Sequence, residues 1–382
     1  MVDPLHHVTT FNITTQEWNK IEFDNIPEEM TNVLEFWIVQ VGDDWFIVTC
    51  STLEDTSDDN ASYTSCVARL DLEQKKCHLL YSKTGCISCR TSAVVVGDSK
   101  RNQIVMVCGL GTGRGYRYLT DVIAFDLSEN DWKVLGEYPN YPALYGSSGL
   151  LWKERYLIIV GGGVTSCETT SDIICFDLEM NDWKTFLHEP YARDQVPIIY
   201  PRVSPILSLI SNKYASKFMD VPNNGECNTL FMYGGIIDAI CQKRILNRVT
   251  HEVILFPLDE NKFVFGSNID NTIISHMPLN LTDFCNPGEV IRIHQHKQEN
   301  PSFNWEMEED QQDDSKEFKI LPPSGGEAVY YQSSNGCEYL YVFPNNIRTK
   351  HGYHYLKIAL QALPMLFSSV KHGLNDINIS FQ

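Results

Sequence analysis

Short apolar runs such as SAVVVGD, NQIVMV, RYLIIV and TLFMY alternate along the chain with polar stretches rich in Gly, Asn and Asp. Runs of that length, bounded by turn residues, predict β-strands. One pattern recurs. Phe11 begins FNITTQEW, ending at Trp18, and Leu70 begins LDLEQKKC, ending at Cys77. Phe125 begins FDLSENDW, ending at Trp132, and Phe176 begins FDLEMNDW, ending at Trp183. A fifth copy, FPLDENKF, runs from Phe256 to Phe263. Each places an apolar residue, a polar spacer and a second large or apolar residue in order. Strand, tight turn and returning strand make a β-hairpin, and Asn and Asp tolerate the turn dihedrals.

Successive copies start 59, 55, 51 and 80 residues apart. A period near 50 leaves room for two further strands upstream of each hairpin, hence four strands per unit. In the two cleanest units SAVVVGD and NQIVMVCGLG lead to Asp121, while SSGLLWKE and RYLIIVGGG lead to Asp172. The units are in register: Asp121 with Asp172, Phe125 with Phe176 and Trp132 with Trp183, each pair 51 apart.

A glycine pair closes the second strand in two units, Gly161-Gly162 after LIIV and Gly234-Gly235 after LFMY; Cys108-Gly109 and Thr49-Cys50 are degenerate versions. Glycine suits a strand end that bends where neighbouring backbones crowd. With these glycine pairs and aromatic hairpins, the chain resembles the kelch-repeat family over residues 8–265, most closely over 90–187. The resemblance implies an all-β fold, a kelch-type β-propeller of six four-stranded blades, with seven as the alternative, forming one domain over residues 1–382. It also implies a ring closed by strands from both chain ends. HHVTTFN and EWNKIEF then serve as third and fourth strands, with GEAVYYQSS and CEYLYVFP (326–344) as the first and second. HYLKIAL, from His354, competes as a third strand of that same blade. Residues 266–320 supply either an irregular blade, with strand candidates at 271–277, 289–294 and 316–320, or a large insertion. Within them 299–317 reads as an acidic, flexible loop.

Composition narrows the function. Of 382 residues, 43% are hydrophobic and 11% aromatic, which excludes a disordered chain. The formal charge of −19, from 30 basic and 49 acidic residues, disfavours nucleic acid and anionic membrane surfaces as partners. No apolar run reaches the roughly 18 residues of a membrane helix. The N-terminal MVDPLHHVTTFN lacks the basic start and apolar core of a signal peptide. A cytoplasmic location is therefore expected, with the nucleus as the alternative, and the sequons at Asn12, Asn60, Asn280 and Asn378 are expected to stay unmodified. The twelve cysteines form no compact disulfide framework, and Cys50, Cys108 and Cys175 read as buried, reduced thiols in strands.

Several constellations carry residue types suited to chemistry. Cys86-Ile-Ser-Cys89 lacks a second ligand pair at zinc spacing and lies outside the βαβ setting of a redox motif, so it reads as two loop cysteines. His294-x-His296 and His351-x-x-His354 have no companion carboxylate, and the acidic runs 54–59 and 306–317 lack a calcium-loop pattern. The glycine-rich Gly109–Gly115 stretch lacks the GK[ST] ending and following helix of a phosphate loop. No cofactor or metal is expected.

The same stretch, however, leads into Arg114, Tyr116, Arg117 and Tyr118, residue types enriched at binding hot spots. The connections between blades add Tyr138, Tyr141, Tyr145, Tyr200 and Arg202. The expected function is a protein–protein interaction module, a scaffold or adaptor acting as a monomer or in a hetero-complex, whose partner is a protein engaged through loops on one rim. The resemblance also implies substrate recognition for a ubiquitin ligase; motifs starting at residue 11 leave that role dependent on a separate adaptor. The alternative is a kelch-type enzyme, mutarotase-like or specifier-like, with its site in the axial channel. A degenerate paralogue is a third reading.

Overall fold

Strands form where the apolar runs occur and group, in chain order, into small antiparallel sheets. The computed structural model describes residues 7–15, 17–30, 32–52, 63–111, 117–138, 144–165, 168–187, 201–216, 222–241, 244–249, 253–260, 326–332, 338–344, 348–349, 352–353 and 356–359. A hairpin of β1 (His7–Asn12) and β2 (Glu17–Glu22) comes first. The first sheet is β3 (Val33–Val41), β4 (Asp44–Thr52), β5 (Tyr63–Asp71) and β6 (Lys76–Thr84). After the short β7 (Arg90–Thr91), the second sheet begins with β8 (Val94–Asp98) and β9 (Gln103–Val107). Two short strands, β10 (Leu110–Gly111) and β11 (Arg117–Tyr118), intervene before β12 (Asp121–Asp126) and β13 (Asp131–Glu137) complete it.

The third sheet repeats this plan. It holds β14 (Ser148–Trp152), β15 (Tyr156–Val160), β18 (Ile173–Asp177) and β19 (Asp182–Leu187), with the hairpin β16 (Gly163–Thr165) and β17 (Glu168–Thr169) in the middle. The fourth has β20 (Ile206–Ile210), β21 (Thr229–Tyr233) and β24 (Val253–Pro257), plus the hairpin β22 (Ile236–Cys241) and β23 (Arg244–Val249). Its expected last strand, entered at Phe263, lies outside the described residues. The fifth has β25 (Gly326–Gln332), β26 (Glu338–Pro344) and β29 (Leu356–Ala359), plus β27 (Arg348–Thr349) and β28 (Gly352–Tyr353).

The first strands β3, β8, β14, β20 and β25 lie side by side in that order. Three apolar cores fill the spaces between consecutive sheets. Phe46, Ile104, Phe125 and Trp132 belong to the core between the first and second sheets. Val105, Leu157 and Phe176 sit between the second and third, and Trp152, Leu230 and Phe256 between the third and fourth. Sheets covered on both faces need apolar residues at successive positions, which is why QIVMV, YLIIV, IICFD and TLFMY are buried throughout. Small antiparallel sheets stacked face to face in series fit a β-propeller-like fold.

The recurrent motif has a mechanical explanation. Its two apolar ends are directly opposed across the hairpin: Phe11 with Trp18, Leu70 with Cys77, Phe125 with Trp132 and Phe176 with Trp183. The polar residue after the first apolar one caps the turn. Asn12, Asp71, Asp126 and Asp177 each accept two backbone N–H bonds from residues two and three further on. Asn130 and Asn181 then take left-handed conformations, with φ of 53° and 52°. Asp177 also accepts from Arg155 Nε and Nη2 and from Lys184 Nζ at 2.6–2.8 Å. Burial would raise its pKa, yet these cations hold the carboxyl well below the usual carboxylate range.

The glycine pairs bend the chain between sheets. Gly161 and Gly162 have φ of 63° and 110°, and Gly234 and Gly235 have 70° and 94°. A Cβ on Gly161 would collide with the Arg202 carbonyl oxygen, which belongs to the approach to the next sheet. At the degenerate pair, Cys108 keeps the bend at φ 54°, a strained value for a residue with a side chain. Thr49-Cys50 does not bend at all. There β4 continues to Thr52, paired with β3 and β5 on either side.

One expectation is corrected. The N-terminal strands do not pair with 326–344, because β26 already has β25 on one edge and β29 on the other. A strand has two edges, so the competing third strand, here Leu356–Ala359, has displaced the expected partner. The β1–β2 hairpin instead lies between the fifth and first sheets. Val8 and Ile21 pack against the core holding Ile47, Cys66 and Leu70. Phe11 and Trp18, on the opposite face, meet Phe343 at ring distances of 5.4 and 5.8 Å, and Phe11 meets Tyr341 at 5.9 Å. The fourth and fifth sheets are direct neighbours through β20 and β25. Residues 261–325, including the strand candidates and the acidic loop, lie outside the described residues.

Two predictions follow from this frame. Gly161→Ala is expected to cost about 1–3 kcal/mol in urea unfolding, from strained φ and the Arg202 clash. Gly225→Ala, where an added Cβ meets nothing within 4 Å, should change stability by less than about 0.5 kcal/mol. Asp177→Asn should cost about 2 kcal/mol at pH 7. Because the folded pKa lies below the unfolded value of about 3.9, this stabilisation is fully present above the unfolded value and is lost progressively as pH falls from there through the folded pKa. The gap between Asp177→Asn and the parent in thermal melts should therefore narrow from about pH 5 downwards.

Candidate functional site

Past each bend, the connection from second to third strand folds into its own paired strands. In the second sheet β10 pairs with both β11 and β7. The equivalent positions of the next two sheets make single bridges, Tyr145 with Gly163 and Val203 with Ile236. Thus, in the second, third and fourth sheets, the segment entering the sheet pairs with the segment leaving its second strand, and β17 lies against β22 of the next sheet. These small hairpins form a rim at one end of the stacked sheets; the capped turns of the recurrent motif lie at the other end.

Backbone hydrogen bonds join one rim unit to the next, and the arrangement repeats. Gly109 N–H donates to Leu144 O at 2.9 Å, and Gly146 N–H to Ser92 O at 2.8 Å. One sheet further on, Gly162 N–H donates to Arg202 O at 2.8 Å and Ser204 N–H to Gly146 O at 2.7 Å. Ser92, Gly146 and Ser204 occupy the same step, with φ of 53°, 60° and 52°. Glu35 accepts the Ser92 N–H at 2.7 Å, tying the first sheet into the series; burial raises its pKa, while that bond lowers it.

Buried arginines brace this rim. Arg90 is fully buried and makes a two-pronged ion pair with Asp121 at 2.8 and 2.9 Å. It also donates to Cys108 O at 3.0 Å and to Ile87 O. Arg202 is its counterpart, donating to Gly234 O at 3.0 Å with none of its surface exposed. Leu144 takes the same place in the third sheet. Arg202 was expected at a docking surface; it is instead a framework residue, since a side chain with no exposed surface cannot touch a partner. The sequence carries a shared signal for both: CRTSAV and PRVSPI place Arg two residues before the Ser of the left-handed step.

Among the other predicted docking residues, Tyr118 and Tyr145 are brought together, their rings 5.6 Å apart and half-buried across two sheets. Tyr145 lies over Gly163, where any Cβ would overlap its ring. A glycine there makes the seat for the tyrosine. Arg117 is in β11 beside Tyr118, with its backbone opposite Gly111. Arg114, Tyr116, Tyr141 and Tyr200 lie outside the described residues, as do His294, His296, His351, His354 and both acidic runs. Among the described residues no three His, Cys, Asp or Glu side chains cluster as a metal site. No helix among them is long and apolar enough to cross a membrane.

Comparison with known proteins gives little beyond this geometry. No family model matches the chain, and no curated protein matches it. A solved structure titled "Structure of YjhT" is similar at 8% identity over 92% of this chain and 90% of that one, with a TM-score of 0.48.

Arg90→Ala would leave the partly buried Asp121 carboxylate and the Cys108 carbonyl without their cation, at an expected cost of about 2–4 kcal/mol in urea unfolding. Arg90→Lys should recover only part of this, because an ammonium cannot reproduce the two-pronged contact.

Proposed function

We propose that the chain is a kelch-type propeller of six blades that serves as a protein–protein interaction module and binds its partner on the rim of small hairpins. Five sheets and the β1–β2 hairpin occupy six positions in series, which supports that blade count. The observation that carries the functional reading is the Tyr118–Tyr145 pair beside Arg117. Two aromatic rings are held half-exposed on a braced backbone, so little ordering cost attaches to their use. The excess of carboxylates favours a partner with a basic contact surface. The chain would act in the cytoplasm as a scaffold or adaptor.

The test compares partners captured by the parent, by Arg117→Ala/Tyr118→Ala, and by Met180→Asp at the opposite end of the sheets, where Met180 is 68% exposed. The rim variant should lose the captured set, with affinity for a purified member falling about 30-fold or more, while Met180→Asp retains it. Retention by both variants would remove the rim as the docking surface.

A further inference from the structure

The loop from β6 to β7 carries Cys86-Ile87-Ser88-Cys89, and its backbone closes a tight turn, with Cys89 N–H donating to Cys86 O at 3.1 Å. This turn brings the two sulfurs to 3.5 Å. A disulfide needs about 2.05 Å between sulfurs, so closure requires a shift of only about 1.5 Å, without unfolding the loop. The surroundings differ at the two ends. Cys86 is partly exposed, with Ser88 Oγ at 3.1 Å from its sulfur. Cys89 is buried, its sulfur 3.3 Å from the Tyr63 carbonyl oxygen. The turn is anchored rather than loose, because Arg90 donates to Ile87 O, between the two cysteines.

We propose that Cys86 and Cys89 form a redox-active dithiol that closes to an intramolecular disulfide by exchange with a low-molecular-weight disulfide. Cys86 is the attacking sulfur and Cys89 the resolving one. The Cys86 thiolate attacks one sulfur of the small disulfide, forming a mixed disulfide and expelling a thiolate, which takes up a proton. Cys89 then gives its proton to solvent and attacks Cys86 Sγ, expelling the second small thiolate, which is protonated in turn. In sum, a dithiol and a small disulfide become a protein disulfide and two small thiols, with two electrons passing to the small molecule.

The electrostatics agree with these roles. The hydrogen bond from Cys89 lowers the Cys86 pKa to about 5, against the upward effect of burial. Cys89 is shifted upward, first by that same bond and then by burial. The other described cysteines do not share this setting. Cys50, Cys66, Cys77, Cys108 and Cys175 are buried, and burial raises the thiol of the half-buried Cys227. A partly exposed thiol whose pKa is lowered, beside a second thiol, is the arrangement that exchange requires. Two sulfurs supply only half of a tetrahedral zinc set, and no third ligand stands with them among the described residues.

The test uses the full-length reduced chain, oxidised glutathione as the probe, and alkylation with mass spectrometry at each cysteine. Cys86 should alkylate at pH 6 about 10-fold or more faster than any other described cysteine. Excess oxidised glutathione should convert the Cys86–Cys89 peptide to its internal disulfide, and dithiothreitol should reverse it. Cys89→Ser should accumulate the glutathione adduct at Cys86, and Cys86→Ser should leave Cys89 unreacted. Far-UV circular dichroism confirms that each variant is folded; Cys86→Ala serves where Cys86→Ser is not. Slow alkylation of Cys86 at pH 6, or pairing of either cysteine with Cys50 instead, would overturn the proposal.

Discussion

Two backbones meet where the second strands of the second and third sheets end, and there a peptide N–H of one sheet reaches the carbonyl of the segment entering the next. Gly109 with Leu144 and Gly162 with Arg202 make this contact, and the return bonds to Ser92 and Gly146 close it. The approach is too close for a Cβ, so glycine is required there for space as well as for φ. The consequences reach in both directions. On the inner side, the bend ends the strand and lets the first strands lie side by side with apolar cores between the sheets. On the outer side, it sets the origin of every small hairpin on the rim. The first sheet is the informative exception: Thr49-Cys50 does not bend, and its strand runs on to Thr52.

Charge is used at opposite ends of the sheets for different purposes. At the turn end, Asp126 and Asp177 cap hairpins and pair with Lys133 and Lys184 across the strands. These contacts fix local turns. At the rim end, Arg90 and Arg202 are fully buried and hold carbonyls at the bends. A buried guanidinium with several acceptors satisfies peptide oxygens that strand pairing leaves open, and it resists rearrangement because losing one partner exposes the others to the cost of burial. Above this braced layer sit Tyr118 and Tyr145, whose seat depends on Gly163. The proposed docking surface thus inherits rigidity from groups that never touch a partner.

The dithiol belongs to the same layer. Cys89 immediately precedes Arg90, and β7, which contains Arg90, is hydrogen-bonded to β10 of the rim hairpin carrying Arg117 and Tyr118. Any change in the Cys86–Cys89 turn is therefore delivered to a short, well-anchored strand. The anchoring through Ile87 O keeps the two sulfurs close in the reduced state.

The amino-acid sequence by itself determined the strands, the hairpin motif, its opposed apolar ends and the need for glycine at the bends. These are local properties: an Asp that caps its own turn, an Asn that tolerates positive φ, and a run of apolar residues covered on both faces carry their signal within a few positions. Tertiary structure decided the rest. Whether β26 pairs with β29 or with the N-terminal strands is a competition for one strand edge between segments far apart in sequence, and no local pattern sets its outcome. Arg202 looked like a docking residue because Arg is common at interfaces, yet burial depends on the sheet that closes over it. The Cys86–Cys89 turn read as two loop cysteines because spacing alone gives neither the 3.5 Å between sulfurs nor the different exposure of the two thiols. Those depend on the Arg90 anchor and on the neighbouring strand end at Tyr63, which only the folded chain brings alongside.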